Sequence, residues 1–360
     1  MTTRRSLLAM AGGVAGAAFA PAGLRPASTK RDLWRNAGGP HLRGAVFVQR
    51  RVYRDLDGPD FLGPGPFGQP VTPEALDSLT DAGANLASWS GPGLFTETAP
   101  FALDPAVEDH VGAWLDACRA RGLYTTLCLR TGPGRSAFAF HPGETWYPDH
   151  LYDDSIWRSA EKQQAWAEMV AETLRRFGSH PALAGVKVFD EPNGADMGAD
   201  GVWPAFAQRI KQTCQDLDHD TPLIFSPDRW GRAERAEELR AAIGVEPVIA
   251  VHDYSPFDYT HQARGDRVRF YPRLQPAQIQ ASGDVAVMEF GAVRYARDLE
   301  AYLDTRIAAF ERAGANWAVF RWSSGWQAYE SQEGSMAISQ SVPALLLLLR
   351  AFSRNAARPG

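Results

Sequence analysis

Cysteine is scarce. Cys118, Cys128 and Cys214 are the three in 360 residues, an odd number far short of a disulfide scaffold, and none stands at a paired metal-ligand spacing. They read as small buried hydrophobes with one optional bridge at most. Runs of basic residues are also missing, and with a formal net charge of -5 the chain lacks the electrostatic footprint of a nucleic-acid binder. Past residue 20 no stretch approaches the roughly 20 apolar residues of a membrane span; "ALLLLLR" near the end is too short. No G-x-G-x-x-G follows the first β-rich run, which removes the dinucleotide-binding reading. No low-complexity linker marks a second domain.

What is present begins with an export signature. "MTTRRSLLAMAGGVAGAAFA" combines Arg4-Arg5, an apolar stretch from Leu7 to Ala18 and a small-residue site at Ala18-Phe19-Ala20. Residues 1–20 are therefore expected to form a bacterial signal peptide, twin-arginine-like in its Arg-Arg-Ser-Leu-Leu, and to deliver the protein to the periplasm or the exterior. Residues 21–40 read as an N-terminal extension. From 41 to 355 short β-rich runs alternate with amphipathic stretches. The runs are 42–49, 84–90, 122–130, 185–190, 222–227, 246–254, 284–290 and 315–322; helices are expected near 73–82, 105–121, 157–178, 202–217, 232–243, 275–281, 297–313 and 342–353. In "PAVEDHVGAWLDACRARG" the apolar Val107, Val111, Trp114, Leu115 and Cys118 recur at spacings of three and four, and Gly122 closes the helix. Eight strand–helix units predict an α/β fold, a single (β/α)8 TIM barrel.

Active sites in such barrels sit at the C-terminal ends of the strands. The fourth predicted strand ends in "VFDEPNG", where Asp190 and Glu191 precede a Pro-Asn-Gly breaker. Adjacent acids raise each other's cost of ionising, so the pair is either an exposed turn or a functional site. The sixth strand ends in His252-Asp253-Tyr254, the seventh in Met288-Glu289-Phe290-Gly291 and the eighth in Arg321-Trp322. Two glutamates across a barrel mouth suit glycosidic cleavage, in which a protonated carboxyl donates to the leaving oxygen and a carboxylate acts on the sugar's other face. An aromatic content of 11% with eleven Trp supplies the flat faces on which sugars stack.

These tips resemble a family. "FDEPNG" resembles the Asn-Glu-Pro motif of clan A glycoside hydrolases, "VMEFGA" their Glu-Phe-Gly motif, and "HDY", "FRW" and "LRGAVF" the corresponding stretches of glycoside hydrolase family 5, the cellulase-like family. The likeness spans most of the mature chain as an ordered pattern. It implies a secreted retaining β-glycoside hydrolase acting on a polysaccharide or oligosaccharide, with Glu191 as acid/base and Glu289 as nucleophile, their carboxyls roughly 5 to 5.5 Å apart, and neither metal nor cofactor. His252 and Tyr254 would line the site, Tyr254 bonding Glu289, and Trp322 would stack on the sugar.

Two departures stand out. The family normally has Asn before the acid/base, binding the substrate 2-hydroxyl; here Asp190 can accept from that hydroxyl but cannot donate, and its charge would raise Glu191. The second strand ends "NLASWS" where the family usually ends in Arg. Arg130, in "LRTGPGR" after the third strand, resembles the Arg-x-Gly-Pro stretch of clan A β-galactosidases and is a candidate to serve Asp190, Glu289 or a substrate hydroxyl, with Arg43 the competing choice and a purely structural Arg the bland one. The long loop after the third strand carries Trp146, expected to wall the cleft; its His141, His150, Asp153 and Asp154 lack a tight metal spacing. Trp89, Trp230 and Trp326 follow strands and can face the ligand, while Trp114, Trp166 and Trp317 fall in core patterns. The alternatives to a retaining polysaccharide hydrolase are a carbohydrate-binding barrel with altered catalysis and an exo-acting β-galactosidase-like enzyme. Oligomeric state is silent in the sequence.

Overall fold

The structure, a computed structural model, describes residues 29–53, 55–56, 71–217, 220–274, 279, 282–322 and 335–360. The expected export signal, Trp326 and most of the helix expected over 275–281 lie outside the described residues.

Eight parallel strands close into a barrel in chain order. They are β1 (Arg43–Val48), β2 (Leu86–Pro92), β3 (Tyr124–Thr131), β4 (Leu183–Lys187), β5 (Leu223–Phe225), β6 (Val248–Asp253), β7 (Val285–Phe290) and β8 (Trp317–Val319). Around them lie α1 (Pro73–Asp81), α2 (Pro105–Ala120), α3 (Ala160–Phe177), α4 (Val202–Cys214), α5 (Ala236–Ile243), α6 (Phe257–Thr260), α7 (Leu299–Ala313) and α8 (Val342–Phe352). Their order is that of a (β/α)8 barrel. Among the described residues, no helix is long and apolar enough to cross a membrane.

Local chemistry explains the elements. In α2, Asp104 accepts from the backbone N–H groups of Ala106 and Val107, Pro105 sits in the first turn, and the apolar stripe from Val107 to Cys118 is buried. Strands covered on both faces read as near-continuous apolar runs, and β6 and β7 are buried throughout. Gly44 is required by close approach, since a Cβ there would lie 1.7 Å from the Leu86 carbonyl oxygen across the β1–β2 pair.

The two barrel ends differ. At the N-terminal end, Trp34 is buried with its ring nitrogen donating to the Ala184 carbonyl at 2.8 Å, and Asn36 bonds the start of β7 through Val285. Residues 29–40 thus form a plug under the barrel. Towards the C-terminal end the interior turns polar: Ser88 meets Thr126 at 2.8 Å, and Ser90 reaches Asp190 at 3.0 Å.

Candidate active site

Past β4 the ladder continues, with Val188 N–H on the Ile224 carbonyl and Asp190 N–H on that of Leu129, both at 3.0 Å. Glu191 then turns the chain at a φ of 45°, a left-handed conformation that bulky residues adopt at a cost and that concentrates at functional sites. Arg135, fully buried, clamps this turn by donating to the Glu191 carbonyl oxygen at 3.1 Å. On the far side, His252 of β6 and Glu289 of β7 are register partners. Strand alternation points His252 and Tyr254 inward and Asp253 outward, to Arg306 of α7 at 3.5 Å.

These residues meet in one network. His252 Nδ1 lies 2.8 Å from Glu191 Oε1 and 3.4 Å from Glu289 Oε2, and the Tyr254 hydroxyl donates to Glu289 Oε2 at 2.9 Å. Asp190 is fully buried and spends both oxygens on protein: Lys187 Nζ lies 2.7 Å from Oδ1, while Ser90 Oγ and Arg130 Nη1 reach Oδ2 at 3.0 and 3.3 Å. Asp190 is therefore an internal counter-ion, which corrects its reading as a substrate ligand.

The electrostatics follow. Burial pushes Glu191 up to about 7, with the Asp190 carboxylate adding to the rise. Burial also pushes Glu289 up to about 7; His252 opposes this and Asp190 reinforces it. Two such carboxyls titrate as a pair. The Tyr254 hydroxyl stabilises charge on Glu289, and Asp190 opposes charge on Glu191. Burial would raise Asp190 too, yet Lys187 and Arg130 outweigh it and hold Asp190 well below the ordinary carboxylate range.

Other sequence candidates are placed elsewhere or on the rim. Arg43 lies at the N-terminal end of β1, where Nε and Nη2 reach the two Glu311 oxygens at 2.6 and 2.8 Å; it is not at the mouth, and Arg130 serves Asp190. Trp322 is buried, with its ring nitrogen donating to Ser78 of α1 at 2.8 Å. That bond turns it into the helix layer. The aromatic beside the site is Phe320, one residue past β8, its ring 6.2 Å from that of Tyr254. Trp322→Phe should accordingly lose about 1–3 kcal/mol of stability through one hydrogen bond and some packing and leave KM and kcat within about two-fold, as urea unfolding and steady-state kinetics will show; a large rise in KM would return Trp322 to the sugar site.

Trp146 stays 42% exposed on the β3 loop, packed against Phe138 and Tyr147. Trp89 is fully buried with its ring towards His110 of α2, whereas half-buried Trp230 lies 6.4 Å from Phe140, the ring on which Arg130 stacks at 3.8 Å. His141, His150, Asp153 and Asp154 take separate partners in Glu144, Asp55, Lys162 and Asn193.

Sequence reasoning missed Lys187, Ser90, Arg135 and Phe320. Lys187 had a signal, a charge inside the apolar run "LAGVKVF", since a fully buried lysine is nearly always paired.

The cellulase family, glycosyl hydrolase family 5, matches residues 65–325. No curated protein matches the chain. Among solved structures, an endoglucanase Cel5A of Pseudomonas stutzeri is 16% identical with a TM-score of 0.62, covering 91% of this chain and 98% of its own. Endoglucanase Cel5A of Thermotoga maritima is 15% identical with a TM-score of 0.61, covering 89% and 99%. The cellulose synthase subunit Z of Clostridioides difficile is 14% identical with a TM-score of 0.56, covering 85% and 99%.

Proposed function

The chain belongs to glycosyl hydrolase family 5, and from that premise we propose that it is an exported, retaining β-glycoside hydrolase of a polysaccharide or its oligomers, working by double displacement. One observation carries the reading: the carboxyls of Glu191 and Glu289 converge on a single ring nitrogen of His252. Two oxygens that share one nitrogen are no farther apart than the two contacts laid end to end, and so close a pairing supports the short carboxyl spacing of retaining enzymes, roughly 5 to 5.5 Å, over the wider inverting one.

In the first step the ionised Glu289 attacks the anomeric carbon while Glu191 protonates the departing oxygen, leaving a glycosyl ester on Glu289. In the second, Glu191 takes a proton from water, whose oxygen displaces Glu289 and restores the starting state. Tyr254 keeps a hydrogen bond on the nucleophile, and Arg135 keeps the Glu191 turn in place. Exposed Trp146 offers a stacking face on the loop beside the mouth. Export is supported by the Arg4-Arg5 segment and its apolar run.

The test is a panel of aryl β-glycosides and polysaccharides, with the product anomer followed by NMR. Hydrolysis that releases the β-anomer first, and that vanishes in Glu289→Gln, is the expected result; release of the α-anomer first overturns the double displacement. A glycan bound without turnover supports the binding-barrel alternative.

The same pair sets the pH response. Turnover needs one proton on the two glutamates. Activity should therefore rise as the first proton leaves and fall as the second does, giving a bell in kcat/KM whose alkaline limb belongs to Glu191, because the raised acid is the one that must stay protonated. Glu191→Gln should abolish that limb in whatever activity remains. An unchanged limb would assign it to another group.

A further inference from the structure

Lys187 has no role in the double displacement, yet it sits under both glutamates. Its side chain is 2% exposed, and its Nζ lies 2.7 Å from Asp190 Oδ1 and 2.6 Å from His252 Nε2. An ammonium has three donors and no acceptor. At that distance Nε2 must therefore be the acceptor and carry no hydrogen, which leaves the ring's single proton on Nδ1. Nδ1 is the nitrogen that faces Glu191 Oε1 and Glu289 Oε2.

We infer that Lys187 is a positioning residue that fixes His252 as the neutral Nδ1–H tautomer, so that one N–H serves both glutamates and donates to whichever of them is ionised. The inference rests on the proposed double displacement for its purpose, but its geometry does not depend on substrate. When Glu191 surrenders its proton and Glu289 becomes an ester, the negative charge passes from one carboxyl to the other. A proton on Nδ1, hydrogen-bonded to Glu191 at 2.8 Å and 3.4 Å from Glu289, follows the charge by a small shift of the ring between the two, with no rotamer flip. The ring itself neither gains nor loses a proton.

The surroundings agree. The charged and titratable groups facing the ring are Lys187, Asp190 and Glu191 from the end of β4, Arg130 from β3, Tyr254 from its own strand and Glu289 from β7. Gly231 closes the remaining side, where a Cβ would meet the ring at 3.0 Å. Burial lowers the imidazole to about 4; Lys187 and Arg130 add to the lowering, while Glu289 and Asp190 oppose it. Asp190, His252 and Glu289 each bring a polar atom within 4.8 Å of the others, and the Lys187 ammonium supplies the cation at two of the three. Burial would lower Lys187, but Asp190 and Glu289 together with the Asp190 hydrogen bond hold that ammonium charged, so Nζ is the donor.

The experiment is a long-range 1H–15N spectrum of the full enzyme labelled at histidine, recorded from pH 5 to 8, with His252→Asn assigning the resonance. The expected result is a pyrrole-type Nδ1 and a pyridine-type Nε2 that do not move across the range. In Lys187→Met, with no ammonium donating to Nε2, the ring should switch partly or wholly to Nε2–H or titrate above its wild-type value, and the acidic limb of kcat/KM should move up as Glu289 loses a neighbouring cation. An Nε2–H tautomer or an imidazolium in the wild type overturns the inference, as does a Lys187→Met spectrum and pH profile identical to wild type. Should Lys187→Met fail to fold, the wild-type spectrum alone decides. Because that spectrum needs no substrate, a protein that hydrolyses nothing yet shows Nδ1–H loses the proposed activity and keeps the tautomer; the reverse outcome loses only the tautomer.

Discussion

Glu289→Gln is expected to remove turnover by about 10⁴-fold or more, because an amide cannot form the glycosyl ester and the residual rate comes only from binding and from Glu191. Glu191→Gln should cost roughly 10²–10⁴-fold, the usual share of a general acid, and less on aryl glycosides whose leaving group needs little protonation. That split between the two variants distinguishes the roles. Equal losses on every leaving group would deny Glu191 the acid's part. The Glu289 variant should also be the more stable protein at alkaline pH. A carboxyl raised on folding binds more protons in the native chain than in the unfolded one, so stability falls as pH rises from the unfolded value of 4.5 towards about 7. Glutamine carries no such penalty. The gain of Glu289→Gln over wild type should be full at pH 8 and absent below about pH 4.5, read from melting curves at several pH values. A variant less stable than wild type at pH 8 would mean that the glutamate's hydrogen bond to Tyr254 outweighs its buried charge.

The barrel was legible because strand tips and helix faces repeat in order, and local chemistry such as the Asp104 cap dictates each unit without reference to the others. The glutamates were legible for the same reason: a turn signal beside an acid marks a strand tip wherever the strand lies. What the sequence could not give is the direction a side chain takes once the strand has ended. Trp322 follows β8 by three residues, and only the structure shows that its indole nitrogen finds Ser78 in the helix layer while Phe320 stays beside Tyr254. Arg43 failed differently. It stands at the start of β1 and so at the wrong end of the barrel, where Glu311 satisfies it. Asp190 was read beside Glu191 with Arg130 among its candidate partners, and the structure adds Lys187 and Ser90, which complete its environment. Pairings across strands have no local signature.

That buried pairing supports the second large effect. Asp190→Asn replaces the residue with the one usual in the family, yet it should destabilise this chain by about 3–5 kcal/mol, the cost of leaving one member of a buried ion pair uncompensated. Lys187 is the member left behind: its ammonium is enclosed, and removing the carboxylate takes away its counter-charge. Arg130 suffers less, since it keeps the Phe140 ring at 3.8 Å. Lys187→Met alone should cost less than Asp190→Asn, because Asp190 retains Arg130 and Ser90. Joined in one chain, the two substitutions should recover much of the loss, leaving an interaction energy of roughly 1–3 kcal/mol in a double-mutant cycle. Urea unfolding with unchanged slopes measures it. Additive losses would show that the two charges do not hold each other and that Arg130 alone neutralises Asp190. The sign with pH is fixed as well. Asp190 is depressed on folding, so its contribution is complete above the unfolded value of about 3.9 and disappears as pH falls below it. The stability gap between wild type and Asp190→Asn should therefore narrow in acid, as the gap opened by Glu289→Gln also does, but the two gaps have opposite signs: the asparagine variant is the less stable protein and the glutamine variant the more stable one.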